Sequence, residues 1–237
     1  MNADQRRRYS RTILLDGIGE EGQSALDRAS VLVVGSGALG SIVSMYLAGS
    51  GVGYIAVADF DNVDLSNLQR QLSFTEEDLG QRKAEATGRR LRSINSLIEV
   101  EVINELITSR RATELFSRFD VIVEGSDNPS TKYLVSDVAS ELQRPCVIGG
   151  VREFGGQVMT QLPGHACYRD LFPDAACDAA GLTPCAAGGV LGPLPGIVAS
   201  IQASEVIKLL TGVGTLLVDR LLLIDALDMH FTEISLR

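Results

Sequence analysis

The chain has 237 residues, of which 45% are hydrophobic and 22% are charged, and its formal net charge is −9. This length suits one large domain or two small ones, and the acidic balance argues against general nucleic-acid binding, which needs clustered positive charge. Because no apolar run approaches the roughly 18 residues that span a bilayer, and the N-terminal segment is too polar after its arginines for a signal peptide, we expect a cytoplasmic protein with no membrane partner.

The first two thirds of the chain alternate between predicted strands and predicted helices. Helical segments over residues 3–28 are broken at Gly17 and Gly19. Strands are predicted at 30–37, 53–60, 98–103, 120–124 and 145–151, and the helices between them at 38–50, 80–95, 109–118 and 129–143. Strands that alternate with helices in this way indicate parallel βαβ units and a doubly wound sheet.

The last third has a different pattern. Residues 155–162 alternate like a half-exposed strand, 163–192 form a loop rich in Gly, Pro, Ala and Cys, and 194–210 form a helix. Segments 215–225 and 229–236 are typical of a terminal hairpin. We therefore predict a Rossmann-like α/β fold with one continuous mixed sheet, parallel in its N-terminal half and antiparallel in its C-terminal strands. The prediction is a single domain over 1–237, with a nucleotide-binding half at about 28–150 and a loop and mixed-sheet half at about 151–237.

A glycine motif follows the first predicted strand. Gly35-x-Gly37-x-x-Gly40 opens a helix, which is the context that nucleotide-binding loops require. Gly35 permits the turn, Gly37 lets phosphate approach the backbone, and Gly40 lets the helix pack on the sheet. Asp59 follows Gly40 by 59 − 40 = 19 residues, near the spacing of an acid that binds ribose hydroxyls. The motif predicts a nucleotide-binding site but does not distinguish between NAD, FAD and ATP as the ligand.

Further charged residues favour chemistry at phosphorus. Such chemistry needs cations around the phosphates and a carboxylate for Mg²⁺. Asp61, Arg70 and Lys83 follow the second strand, and Asp127 lies at the end of a later one. Each has an ordinary alternative, because a single Lys or Arg on a helix is usually solvated and an Asp before Asn-Pro is usually a turn or capping residue.

Several segments together resemble one family in order and spacing. The chain is similar over residues 5–228 to the ThiF/MoeB/HesA family, the bacterial relatives of ubiquitin-activating enzymes. The segments are "RYSRTILL", "VVGSGALGS", "DFDNVDLSNLQRQ", "GQRKA", "EGSDN", "GGVLGPLPG" and "EVIKLLTG". The resemblance implies a homodimer that adenylates the C-terminal glycine of a small ubiquitin-fold protein ending in Gly-Gly, for sulfur transfer into thiamine, molybdopterin or a secondary metabolite, with a sulfur-donating desulfurase as a further partner.

The same resemblance implies roles for individual residues. Asp59, next to Asp61, holds the ribose of ATP, and Asn67, Arg70 and Lys83 hold its phosphates. Asp127 binds Mg²⁺, and Arg11 reaches across the dimer to the phosphates of the partner subunit. No general base is needed, since the attacking glycine carboxylate is ionised near neutral pH.

The cysteines depart from the family pattern. Relatives hold a structural zinc with two Cys-x-x-Cys pairs, whereas here Cys167 is followed by Asp170 in "CYRD" and no second pair precedes the final "TEISLR". An irregular site from His165, Cys167, Cys177 and Cys185 matches no zinc spacing, so we expect no zinc. Cys185 aligns with a cysteine that some relatives use for a covalent carrier link, and its alternative is an unreactive loop cysteine.

Other activities are compatible with parts of the pattern. The same adenylation chemistry on a peptide or a tRNA-base carboxylate is one alternative, and the acidic balance weakens the tRNA version. An NAD-dependent oxidoreductase is another, although nothing after Asp59 resembles a proton donor for hydride transfer. A non-catalytic scaffold is a third, against which the phosphate-binding residues argue. The leading hypothesis is an ATP- and Mg²⁺-dependent carrier-protein adenylyltransferase.

Overall fold

The computed structural model describes residues 1–173 and 188–236. Strands within these residues are β1 Ser30–Val34, β2 Tyr54–Ala58, β3 Glu99–Ile103, β4 Val121–Glu124, β5 Cys146–Arg152, β6 Gly155–Gln161, β7 Arg220–Asp225 and β8 His230–Ser235. The helices are α1 Ala3–Arg8, α2 Ser10–Ile13, α3 Gly19–Arg28, α4 Gly40–Ser50, α5 Lys83–Ile94, α6 Ser109–Phe116, α7 Pro129–Glu141, α8 Tyr168–Leu171 and α9 Leu194–Thr211. Two short 3₁₀ helices span Leu65–Asn67 and Glu76–Asp78.

All eight of these strands belong to one sheet, in the order β3-β2-β1-β4-β5-β6-β7-β8. The first five strands in this order are parallel, and β6, β7 and β8 pair antiparallel. The predicted mixed α/β sheet is therefore confirmed. The strand order reverses at β1, which has β2 on one side and β4 on the other. Ligands of open α/β sheets bind outside the carboxyl ends of the strands at such a reversal.

Hydrophobic cores lie on both faces of the sheet. One is formed with α3, α4, α5 and α9, and its fully buried members include Leu26, Leu47 and Val198. The other is formed with α6 and α7 and includes Phe116 and Cys146. Burial raises the pKa of the Cys146 thiol, as expected for an unreactive core cysteine. Burial on both faces explains why the inner strands β1 and β2 are nearly continuous apolar runs, whereas the edge strand β3 alternates between glutamate and apolar residues.

Helix α9 has 18 residues and is, within the described part of the chain, the helix long and apolar enough to span a membrane by length and composition. No segment of this kind was expected from the sequence. Leu194, Val198 and Val206 of this helix are fully buried in the core shared with the sheet. This is how a core helix of a globular domain packs.

Several boundaries differ from the predictions, and three of the differences have a local reason. Strand β1 ends at Val34 because Gly35 has φ +92°. Strand β7 begins only at Arg220 because the backbone N–H of Leu217 donates to Glu205 of α9, 2.7 Å away. The predicted loop 163–192 contains helix α8, whose first turn is capped by Asp170, 2.7 Å from the N–H of Cys167. Asp170, at the position where the resemblance implied a missing zinc ligand, caps a helix.

Candidate active site

The glycine loop brings three backbone segments into contact behind the nucleotide motif. Gly35 has φ +92°, and a Cβ there would lie 2.8 Å from the backbone nitrogen of Ser126, which follows β4. A Cβ on Gly40 would lie 1.8 Å from the carbonyl oxygen of Gly35. Gly37 has room, because a Cβ there would meet only the Gln71 amide at 3.6 Å. The loop is therefore closed on its inner side and open toward the cavity in front of it.

Replacing Gly40 with alanine is expected to lower the free energy of unfolding by about 3 kcal/mol, because the new methyl group overlaps a backbone oxygen that cannot rotate away. Gly49→Ala is the matched control, since Gly49 lies in the same helix and has nothing within 4 Å of its Cβ position. We expect this control to be neutral or stabilising by about 0.5 kcal/mol. Urea denaturation of both variants measures the difference, and equal unfolding midpoints would contradict the packing argument.

Asp59 lies directly after β2 and faces the glycine loop. Its carboxylate accepts hydrogen bonds from the backbone N–H groups of Ser36, 2.7 Å away, and Asp61, 2.8 Å away. Burial raises the pKa of Asp59, and these two hydrogen bonds, with the charge of Lys83, oppose the rise. The side chain is held in one orientation at the carboxyl end of the sheet, as an acceptor for ligand hydroxyl groups must be.

Lys83 is the first residue of α5 and is 7% exposed, which is unusual for a lysine. Its ammonium group forms an ion pair with Asp61 at 3.0 Å, and the Asp61 side chain remains 51% exposed. This contact fixes a buried cation beside the end of β2. The acid that the sequence adds after Asp59 therefore holds Lys83 in place.

Arg70 and Asn67 belong to the polar segment after β2. Arg70 is partly buried and its guanidinium donates to the carbonyl of Ser66, 3.0 Å away. The Asn67 side chain accepts from the N–H of Asp64 at 3.1 Å, which caps a short 3₁₀ helix. Arg70 lines the main cavity, whereas Asn67 is outside its lining.

Asp127 lies in the loop between β4 and α7. This loop is fixed on both sides: Glu124 accepts from the N–H of Ser126 at 2.9 Å, and Asn128 caps α7 by accepting from the N–H of Ser130 at 3.0 Å. Within the described residues, the Asp127 carboxylate itself makes no hydrogen bond or ion pair. An exposed carboxylate on a rigid loop can accept a cation.

One cavity of about 1110 Å³ joins most of the predicted site residues. Its lining includes Gly35, Gly37, Asp59, Asp61, Arg70, Lys83 and Asp127. Gly40 lies behind the loop, and Arg11, on α2, is exposed and outside the lining. From the glycine loop the cavity continues along β5 to the β7–β8 hairpin, where Leu227 and His230 form its far wall.

Lys132 and Gln71 are among the residues of the cavity wall that were not predicted from the sequence. Lys132 lines the cavity and is 5% exposed. Lys132 could have been identified from its position near the N-terminus of a predicted helix. A positive charge there opposes the helix dipole unless an acid binds it. Gln71 also lines the cavity, and its buried amide oxygen has no hydrogen-bond partner within the described residues. Such an oxygen is available to a ligand.

The cysteine-containing loop is only partly described. Cys177 and Cys185 lie outside the described residues. The imidazole Nδ1 of His165 pairs with the carboxylate of Asp219 at 2.8 Å, and Cys167 is partly exposed at the start of α8. The ring of His165 is therefore oriented by an acid.

The sheet, the glycine loop and the acid after β2 define a Rossmann-type nucleotide-binding protein. The model of the ThiF family matches residues 9–237. The chain belongs to the ThiF family and is an adenylyltransferase, which confirms the family and enzyme class inferred from the sequence.

Two curated relatives and one solved structure illustrate the similarity. A sulfur carrier protein adenylyltransferase of Thermus thermophilus is 43% identical over 97% of this chain and 87% of its own length. The adenylyltransferase and sulfurtransferase MOCS3 of Culex quinquefasciatus is 41% identical, and this chain spans 54% of it. A crystal structure of E. coli MccB with succinimide has a TM-score of 0.85 at 25% identity, covering 97% of this chain and 71% of that chain.

Proposed function

We propose that this protein uses ATP to adenylate the C-terminal glycine carboxylate of a small ubiquitin-fold sulfur-carrier protein. The observation that carries the proposal is one cavity in which an oriented acid, Asp59, lies with two cations, Arg70 and Lys83, and the exposed carboxylate of Asp127. A relative that is 43% identical carries the name sulfur carrier protein adenylyltransferase. The product feeds sulfur transfer, in which a desulfurase is the partner that supplies sulfur.

ATP fits this cavity by its chemistry. Asp59 accepts hydrogen bonds from the ribose hydroxyls, and the open face of Gly37 admits phosphate close to the backbone. The N-terminus of α4, which begins at Gly40, adds favourable partial positive charge to the same place. Arg70 and Lys83 neutralise the phosphates from the other side.

The Asp127 carboxylate fits a Mg²⁺ ion, which proteins usually hold by one or two carboxylates together with substrate phosphates. The ion would neutralise charge on the phosphates as pyrophosphate departs. Residues of this chain orient the reactants. Asp127 would hold the cation, while Arg70 and Lys83 hold the phosphate chain in line with the attacking carboxylate.

The reaction step is a displacement at the α-phosphorus. A carboxylate oxygen of the carrier glycine forms the new bond to phosphorus as the bond to the bridging α–β oxygen breaks, and pyrophosphate leaves with that electron pair. No proton is transferred, because the attacking group is already ionised near neutral pH. The main barrier is the approach of two negative charges, which fixed cations lower.

The far half of the cavity has the form expected for the carrier tail. It passes Gly150 of β5 and Gly156 of β6 and ends beside Phe154 and Leu227, which are 45% and 66% exposed. The glycines in this wall leave room for a Gly-Gly tail, and exposed apolar side chains at the end of the cavity suit the body of a folded partner. The tail would then present its carboxylate to the phosphate end.

This activity is tested by ATP–pyrophosphate exchange with a panel of recombinant ubiquitin-fold proteins that end in Gly-Gly. We expect exchange with at least one of them in the presence of Mg²⁺, and none when the last glycine of that carrier is deleted. Exchange at the same rate without any carrier, or with the truncated one, would contradict the proposal.

The proposed enzyme is a homodimer in which Arg11 reaches the phosphates of the partner subunit. Two observations support this proposal. Arg11 is exposed and lies outside the cavity lining of its own subunit. It is close in sequence to Leu14 and Leu15, which are 72% and 56% exposed. Such a group of exposed apolar residues favours an interface.

Mixing two inactive variants tests this arrangement. Arg11→Ala and Arg70→Ala protomers, refolded together in equal amounts, should recover about a quarter of wild-type exchange, since half of the dimers are mixed and each has one intact site. Each variant refolded alone should stay inactive. No recovery in the mixture, with mixed dimers verified by mass, would show that Arg11 does not act across the interface.

A further inference from the structure

A buried ion pair lies directly behind the loop that carries Asp127. Glu124, the last residue of β4, is fully buried, and its carboxylate contacts the ammonium group of Lys132 on α7, which is 5% exposed. Taking two charges out of water is costly, and replacing such a pair with apolar residues is often neutral or stabilising. Stability alone therefore does not account for a pair at this place.

Lys132 has no hydrogen left for a ligand. Its ammonium group donates to Glu124, to the carbonyl of Ser126 at 2.9 Å and to the carbonyl of Gly149 at 2.6 Å. An ammonium group has three N–H bonds, and all three are used within the protein. Although Lys132 lines the cavity, it is built to hold backbone in place and not to bind phosphate.

Glu124 holds the same loop from the other side. One of its carboxylate oxygens accepts from both the backbone N–H, at 2.9 Å, and the hydroxyl of Ser126. Ser126 is thus held at its N–H and hydroxyl by Glu124 and at its carbonyl by Lys132. Asn128, on the other side of Asp127, is fixed as the cap of α7. The ion pair therefore fixes one of the two neighbours of Asp127.

We propose that the Glu124–Lys132 pair is a positioning element that holds the Asp127 carboxylate where it binds the divalent cation of the nucleotide complex. This inference rests on the proposed role of Asp127. Neither Glu124 nor Lys132 is a catalytic residue, because both act through the Ser126 backbone. The contact of Lys132 with Gly149 also ties this loop to β5, beside the passage for the carrier tail.

The test removes both charges at once, so that no buried charge is left alone. The double variant Glu124→Gln, Lys132→Met keeps the approximate volume of both side chains. The affinity for Mn²⁺ is measured by electron paramagnetic resonance of the free ion, in the presence of a non-hydrolysable ATP analogue. We expect this affinity to fall about tenfold, as is usual when groups that orient a metal ligand are removed. Nucleotide binding without metal should stay within twofold of wild type.

A second ion pair in the same chain, in which the acid is buried and the lysine is partly exposed, gives a control. Glu205 of α9 is 2% exposed and pairs with Lys208, and neither residue lines the cavity. The variant Glu205→Gln, Lys208→Met should change the Mn²⁺ affinity less than twofold, whatever it does to thermal stability. A merely structural role for Glu124 and Lys132 predicts that the two double variants behave alike.

A rescue experiment is the second test, and it is informative even if the Glu124→Gln, Lys132→Met variant does not fold. Glu124→Asp keeps the charge but shortens the acid by one methylene, so Mn²⁺ affinity should fall. Adding Lys132→Arg, whose guanidinium reaches further, should restore it to within about threefold of wild type. Unchanged affinity in Glu124→Asp, or no recovery on adding Lys132→Arg, would overturn the inference.

Failure of the inference is distinguishable from failure of the proposed function. Asp127→Ala should weaken Mn²⁺ binding at least as much as loss of the ion pair does. If Asp127→Ala weakens it and the Glu124–Lys132 variants do not, the positioning role is wrong and the metal role of Asp127 stands. If Asp127→Ala leaves the affinity unchanged, both are wrong.

Discussion

Asp127→Ala is expected to lower carrier-dependent ATP–pyrophosphate exchange by about 10³-fold while the protein stays folded. Asp127 is an exposed loop residue with no hydrogen bond among the described residues, so its removal costs the fold little. A cation held by Asp127 would neutralise charge on the leaving pyrophosphate, and the loss of one such electrostatic contact costs about 10²–10³ in rate. Exchange is measured at saturating carrier with labelled pyrophosphate.

Asp137→Ala is the matched control for this variant. Asp137 lies on α7, which follows the Asp127 loop, but it pairs with Arg169 at 2.7 Å and is outside the cavity lining. We expect exchange within twofold of wild type. If the Asp127 variant also retained exchange, the site assignment would be wrong.

The second large effect is expected for Arg70→Ala, which should lower exchange by about 10²–10³-fold. Arg70 lines the cavity, and within the described part of the chain its guanidinium makes one hydrogen bond, to the Ser66 carbonyl. Loss of this contact to a short loop should cost about 1 kcal/mol of stability, far less than its cost in rate. The kinetics should show a lower kcat, because the cation acts mainly on charge that develops during the displacement.

Arg89→Ala separates the position of the charge from the loss of an arginine. Arg89 lies on α5, pairs with Asp78 at 2.9 Å and does not line the cavity. Its variant should exchange at the wild-type rate. Arg70→Lys should recover part of the lost activity, because it restores the charge without the planar fork. Full activity in Arg70→Ala would remove Arg70 from the proposed mechanism.

Much of the fold follows from local sequence pattern. The apolar runs within 30–37 and 120–124 predicted parallel strands, and the alternation over 155–162 predicted the first antiparallel strand. Element boundaries were less accurate where side chains from distant segments decide them. Strand β7 starts late because Glu205, on the preceding helix, binds the N–H of Leu217. No pattern within 215–225 contains that information.

In the site, too, some features follow from local sequence and others depend on contacts between distant segments. The glycine loop, Asp59 and the charged residues after β2 were identifiable because their spacing along the chain is itself the signal. The ion-pair partner of Asp61 and the role of Glu124 could not be identified in this way, since each depends on a contact with a residue on another element. Lys83 lies 22 residues from Asp61, and Lys132 lies eight residues from Glu124 on the next helix. Only the folded arrangement shows that one acid holds a cation at the cavity and the other holds a loop.

The role of Glu124 is one that the sequence alone does not show. In the structure the carboxylate is fully buried and binds Lys132 and Ser126 together. The length of this side chain therefore sets the position of the loop that carries Asp127.

The central claim is that this cavity joins AMP to a protein tail, and the most direct measurement is the intact mass of the carrier. After incubation of enzyme, ATP, Mg²⁺ and a carrier ending in Gly-Gly, with pyrophosphatase to prevent reversal and an acid quench, the carrier mass should increase by that of one adenylyl group. Hydroxylamine should remove the added group, as expected for an acyl phosphate. The account would be contradicted if the mass of the carrier stayed unchanged and the thermal stability of the enzyme rose with NAD but not with ATP.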